Sequence, residues 1–137
     1  MTVSIERVDG RRRLVVSRVL GAPRETVWEL LTDTERWPEW GPSVRAVEAT
    51  DRYIRAGTTG RIETPVGVSV PFEVTDCREF RWEWDVARLP ATGHRVERVG
   101  EDRSRVAFEL SPLLAGYVPV CKRALDRIEA VVSSGRR

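Results

Sequence analysis

Between Val44 and Leu110 the apolar residues recur in runs at every second position, the spacing that keeps them on one face of a strand, and no stretch among them keeps a helical period. Phe80, Trp82, Trp84 and Val86 alternate with Arg81, Glu83 and Asp85, the clearest such run in the chain. Just before it, Val68, Val70, Phe72 and Val74 alternate with Ser69, Pro71, Glu73 and Thr75. The same reading predicts strands over Val44 to Thr50, Thr58 to Thr64, Gly93 to Val99 and Arg103 to Leu110, with turns at Pro65-Val66-Gly67 and Gly100-Glu101-Asp102. Strands that succeed one another with no helix between them pair antiparallel, which places the chain in the α+β class. A sheet of that kind has an apolar face to cover, and the tail carries the matching surface. Leu114, Val118, Cys121, Leu125, Ile128 and Val132 recur three or four residues apart, the stripe of an amphipathic helix. That helix is predicted over Leu113 to Val132 with a kink at Pro119; the competing reading starts it near Val118, after a looser Pro112–Tyr117 segment.

Ahead of the strand run, Leu14 to Leu20 reads as a strand that follows an Asp9-Gly10 turn and breaks at Gly21-Ala22-Pro23. Val27, Leu30 and Leu31 then mark a short helix over Pro23 to Leu31. Thr32-Asp33-Thr34 caps a second over Glu35 to Trp37, which Pro38 ends. The expected order is one strand, two short helices, about six more strands and a long C-terminal helix, about seven strands in all. A chain of 137 residues suits a single domain spanning 1–137 with a sizeable core.

Composition excludes several function classes. No apolar run reaches the roughly 18–20 residues of a membrane helix, so no stable membrane insertion is expected. The first residues carry Arg11-Arg12-Arg13 where a signal peptide would be apolar, and two cysteines make no disulfide framework, which together imply a cytoplasmic protein. With 23 basic and 21 acidic residues mixed along the chain, there is neither the basic face nor the module of a nucleic-acid binder.

Catalytic machinery is sparse. His94 is the only histidine, so any serine or cysteine nucleophile would depend on it. A zinc site built from histidines is impossible, and Cys77, Cys121 and His94 have no metal-ligand spacing. Neither a catalytic residue nor a metal or cofactor is therefore assigned. Gly57-Thr58-Thr59-Gly60 lacks the lysine and following helix of a phosphate-binding loop. His94 shares its strand parity with Val96, and is either a histidine near the sheet edge or a polar group that orients a ligand or moves a proton. Cys121, on the helical stripe, reads as inert packing, and Cys77 has no evident activator. Of the five tryptophans, Trp28 and Trp37 are expected to pack the short helices, while Trp40, Trp82 and Trp84 serve as core or as cavity lining. Arg61 and Glu63 share a strand face, and form a buried polar pair if that face is inward or a solvated ion pair if it is outward.

Ala22-Pro23, Val27-Trp28, Leu30-Leu31 and Asp33, followed by Trp37-Pro38-Glu39-Trp40, resemble the opening of the polyketide cyclase/dehydrase branch of the START-like superfamily, also called SRPBCC or helix-grip. The resemblance implies a strongly curved antiparallel sheet wrapped around the C-terminal helix, with a deep cavity for a hydrophobic small molecule between them. Strand parity and the helical stripe direct Phe72, Trp82, Trp84, Phe108, Tyr117 and Cys121 toward that interior. With Trp40 and His94 they make up the expected ligand-binding set. Pro119 and Pro71 depart from the pattern: the first could reshape the cavity mouth, and the second belongs on an edge or at a bulge. The expected function is a carrier or sensor for a lipid-like, aromatic or polyketide-like molecule. The alternative is an aromatase/cyclase or dehydrase acting on a poly-β-ketone chain, with His94, Tyr117 or an inward arginine moving protons. A third reading uses the groove to bind a protein partner.

Overall fold

The computed structural model describes residues 1–134. Its strands are β1 (Thr2–Val8), β2 (Arg11–Leu20), β3 (Ala46–Ala49), β4 (Thr59–Glu63), β5 (Ser69–Arg78), β6 (Arg81–Val86), β7 (Leu89–Gly100) and β8 (Arg103–Leu110). Its α-helices are α1 (Arg24–Thr32), α2 (Trp37–Trp40) and α3 (Val118–Ser134), with 3₁₀ turns at Thr34–Arg36 and Pro112–Tyr117. All eight strands pair antiparallel in one sheet, in the order β1-β2-β8-β7-β6-β5-β4-β3. One strand more than expected is present. The sequence carries no signal for β1 because it is an edge strand with little buried surface: Val3 and Ile5 stay exposed, and β2 is its one partner in the sheet. Asp9 and Gly10, both at positive φ, close that hairpin.

The sheet's inner face carries Val16, Leu20, Val74, Trp82, Val96, Val106, Phe108 and Leu110. They share one core with Cys121, Ala124, Leu125, Ile128 and Val132 of α3. Each Val, Leu, Ile or Phe among them contributes about 1.5–3 kcal/mol on burial, which secures the helix to the sheet. The expected kink at Pro119 is not there. Pro112–Tyr117 is a 3₁₀ segment with Leu114 outside helical geometry (φ −101°, ψ 24°), and α3 begins at Val118. Pro119 thus falls in the first turn, where a missing N–H is not needed. Pro38 also differs from expectation: it opens α2 instead of ending a helix. α1 has no glycine cap, and two tryptophans do that work. Trp40 Nε1 donates to Leu30 O at 3.1 Å and Trp37 Nε1 to Leu31 O at 2.9 Å, filling carbonyls that the helix end leaves free.

Phe80 leaves the predicted alternation. At φ 66° it turns the chain between β5 and β6, and its ring packs against Trp28 and under the Arg24 guanidinium. Pro71 lies on an interior strand but at a locally free position. Its carbonyl accepts from Ala87 N at 2.8 Å, so its absent N–H also points to the side where β6 has already ended at Val86.

The outer face holds a buried carboxylate. Glu109, fully buried on β8, accepts Arg81 Nη2 at 2.7 Å and Arg95 Nη1 at 2.8 Å. Arg81 reaches on to Glu83 and Asp76, and Arg95 to Glu6 and Glu97, so the cluster ties together β1, β5, β6, β7 and β8. Gly93 makes room for it, since a Cβ there would meet Glu109 Oε1 at 2.8 Å. Burial alone would raise the Glu109 carboxyl, but the two arginines outweigh it and hold it below its ordinary value.

Candidate functional site

A cavity of about 330 Å³ lies between α2, α3 and the inner face of the sheet. Its buried end is aromatic. Trp82 is stacked between Trp37, at 5.3 Å with planes 4° apart, and His94, at 4.0 Å. Phe108 meets His94 edge-on at 4.9 Å, and Trp40 and Trp84 complete this wall. Toward the opening the lining becomes Val44, Val86, Leu89, Leu114 and Tyr117, of which the last three are exposed. There Tyr117 Oη and Ser43 Oγ share a hydrogen bond of 2.8 Å, which joins the segment after α2 to the one before α3. Among the described residues no Asp, Glu, Lys or Arg lines the cavity.

At the aromatic end three side chains are linked by hydrogen bonds. Trp84 Nε1 donates to Thr92 Oγ1 at 3.1 Å, Thr92 Oγ1 lies 2.9 Å from His94 Nε2, and His94 Nδ1 lies 3.4 Å from Trp82 O. Burial pushes the His94 pKa down to about 3, so the ring is neutral at physiological pH. Burial likewise pushes the Cys121 thiol up to about 11, which leaves it protonated and a poor nucleophile. Trp82 Nε1 is buried and has no hydrogen-bond partner among the described residues.

Trp40, Trp82, Trp84, His94, Phe108, Tyr117 and Cys121 all stand in the cavity wall. Phe72 does not: it is buried behind the wall against Trp37 and Trp84. Arg61 and Glu63 point outward, with Ile62 taking the inner side. They do not bond each other either, as Arg61 holds Ser69 and Glu63 pairs with Arg45. Sequence reasoning missed Trp37 as a lining residue, and Ser43 and Thr92 altogether. Thr92 has the parity of His94 and Val96, but beginning that strand at Gly93 cut it off; β7 in fact starts at Leu89. Among the described residues no group of histidines, cysteines or carboxylates is placed to hold a metal ion, and no helix is long and apolar enough to cross a membrane.

An antiparallel sheet closed over a long C-terminal helix, with an apolar cavity between the two, is the helix-grip architecture of START-like proteins. The family model for polyketide cyclase / dehydrase and lipid transport proteins matches residues 20–127, and the chain belongs to that family. The structure is similar to the Zhui aromatase/cyclase from Streptomyces sp. R1128, with a TM-score of 0.73 at 13% identity over 92% of this chain and 96% of that one. It is also similar to a START superfamily protein from Mycobacterium smegmatis, with a TM-score of 0.71 at 13% identity over 89% and 97% of the two chains. The di-domain aromatase/cyclase BexL matches at a TM-score of 0.68 and 14% identity, over 90% of this chain and 47% of BexL. At such identities these likenesses establish the fold. Among curated proteins no sequence match is found.

Proposed function

We propose that the chain acts as one cytoplasmic binding domain that carries or senses a neutral, hydrophobic small molecule held between the sheet and α3. The observation that carries this reading is the cavity wall: aromatic and aliphatic, lined by no charged side chain among the described residues, and open to solvent at Tyr117 and Leu114. Affinity in such a site comes mainly from apolar burial, at about 25 cal/mol per Å² removed from water. Trp37, Trp40, Trp82, Trp84, His94, Phe108, Tyr117 and Cys121 are the proposed ligand contacts.

Ring closure of a poly-β-ketone is the competing reading, and the similarity to aromatase/cyclases speaks for it. The cavity chemistry favours the carrier. A general acid or base works best with a pKa near the working pH, whereas His94 is held at about 3 and Cys121 at about 11. The test is native mass spectrometry of the protein purified from its own host, followed by tryptophan-fluorescence titration with whatever co-purifies. A retained neutral ligand, with saturable quenching and no change in the ligand's mass, is the expected result. A wild-type protein that converts a poly-ketone mimic, and loses that turnover in His94→Ala, would overturn the carrier reading.

A further inference from the structure

The hydrogen bonds that link Trp84, Thr92, His94 and the Trp82 carbonyl run in one direction, and from this we infer what the ligand presents to that end of the cavity: a neutral donor, a hydroxyl on an aromatic or alicyclic frame, to Thr92 Oγ1, and not a carbonyl or ether oxygen. This inference deepens the carrier reading and rests on it.

The backbone sets the direction of these bonds. Trp82 O can only accept, so the facing His94 Nδ1 carries the ring's hydrogen. A neutral imidazole has one N–H, which leaves Nε2 as a bare acceptor. The 2.9 Å contact is then Thr92 donating its hydroxyl proton to His94 Nε2. Trp84 Nε1, a donor only, occupies one of the two lone pairs on Thr92 Oγ1. Thr92 has given its proton and filled one acceptor site, so it has one lone pair left to offer. A ligand hydroxyl can donate into it. A ketone, ester or ether oxygen placed there would meet a lone pair and stay unsatisfied, at the cost of a lost hydrogen bond to water. The opposite tautomer would free the Thr92 proton for a carbonyl, but it would set the Nδ1 lone pair against Trp82 O. An ionised ligand group finds no counter-charge in the wall among the described residues, so the donor is neutral.

The experiment compares 2-naphthol with 2-methoxynaphthalene by calorimetric titration. Burial alone favours the methyl ether, which is the more apolar of the two. The wild type is expected to prefer 2-naphthol by about three- to tenfold, the worth of one net hydrogen bond. Thr92→Val should abolish that preference and Thr92→Ser should keep it. Nitrogen-15 NMR of the wild type reads the tautomer directly, because His94 is the only histidine. It should show Nδ1 protonated and Nε2 bare, a measurement that stands even if Thr92→Val fails to fold. Equal affinities, a preference for the ether, a preference surviving in Thr92→Val, or a proton on Nε2 would each overturn the inference and leave the carrier reading in place. Binding of neither probe would overturn both.

Discussion

Replacing Glu109 by glutamine keeps the shape of the side chain and removes the charge that two arginines share. Breaking a buried ion pair from one side costs about 3–5 kcal/mol when the remaining charge is stranded. Here Arg81 keeps Glu83 and Asp76, and Arg95 keeps Glu6 and Glu97, so neither guanidinium is left alone. The glutamine amide, however, sets a donor against the donors of Arg81, which approached Oε1 to 2.7 Å. The expected loss is therefore about 2–3 kcal/mol, below the stranded-charge range. Urea denaturation at pH 7 should show the midpoint falling by about 1–2 M at an unchanged slope of about 1.5 kcal/mol/M. The pH dependence follows from the sign of the shift. Glu109 is held below its ordinary value of 4.5 in the folded protein, so its charge stabilises fully above that pH and the contribution fades as pH falls through the folded value. The gap between wild type and Glu109→Gln should stay constant from neutral pH down to about 5 and close below it. A loss under about 1 kcal/mol at pH 7, or a gap that persists unchanged to pH 3, would refute the account of Glu109 as a shared, buried anion.

Three further outcomes are expected. His94 has a pKa of about 3 in the folded chain against an ordinary 6.5, so between those values only the unfolded chain takes up the proton. Stability should fall as pH drops across that window, and a His94→Gln protein followed by thermal melts should lack that component of the slope. Ala87 and Arg88 both sit at positive φ in the two-residue turn between β6 and β7, which suits asparagine and glycine better. The double change Ala87→Asn, Arg88→Gly should raise unfolding free energy by about 1–2 kcal/mol in urea; no gain would show that the turn is unstrained. Tyr117→Phe removes the hydrogen bond to Ser43 at the cavity opening. Stopped-flow fluorescence should show faster ligand entry and exit with a stability change of about 1 kcal/mol or less, and unchanged rates would refute a gating role for that bond.

Alternation along a strand and a stripe along a helix are local properties, and the sequence by itself determined whatever follows from them. Side chains two apart on a strand share a face whatever the partner, so Trp82, Trp84 and Phe108 were legible as inward-facing. The same holds for Cys121, Leu125, Ile128 and Val132 on α3. Features that depend on pairing between distant residues were decided only by the tertiary structure. β1 exists because β2 supplies its hydrogen bonds, not because its own residues bury anything. Phe80 obeys the needs of its hairpin over the period of its neighbours, and Pro119 proves harmless because the helix begins one residue before it. Phe72 has the right parity and still stands behind the cavity, since Trp37 and Trp84 fill the space in front of it. Glu109 has the outward parity of β8, and only the packing of β6 and β7 beside it brings Arg81 and Arg95 over its carboxylate. The direction of the Thr92 hydroxyl depends on a backbone carbonyl of the neighbouring strand, acting through His94. A residue pattern can say which face a side chain takes, but hydrogen-bond partners and cavity shape arise only when segments far apart in the chain are brought into contact.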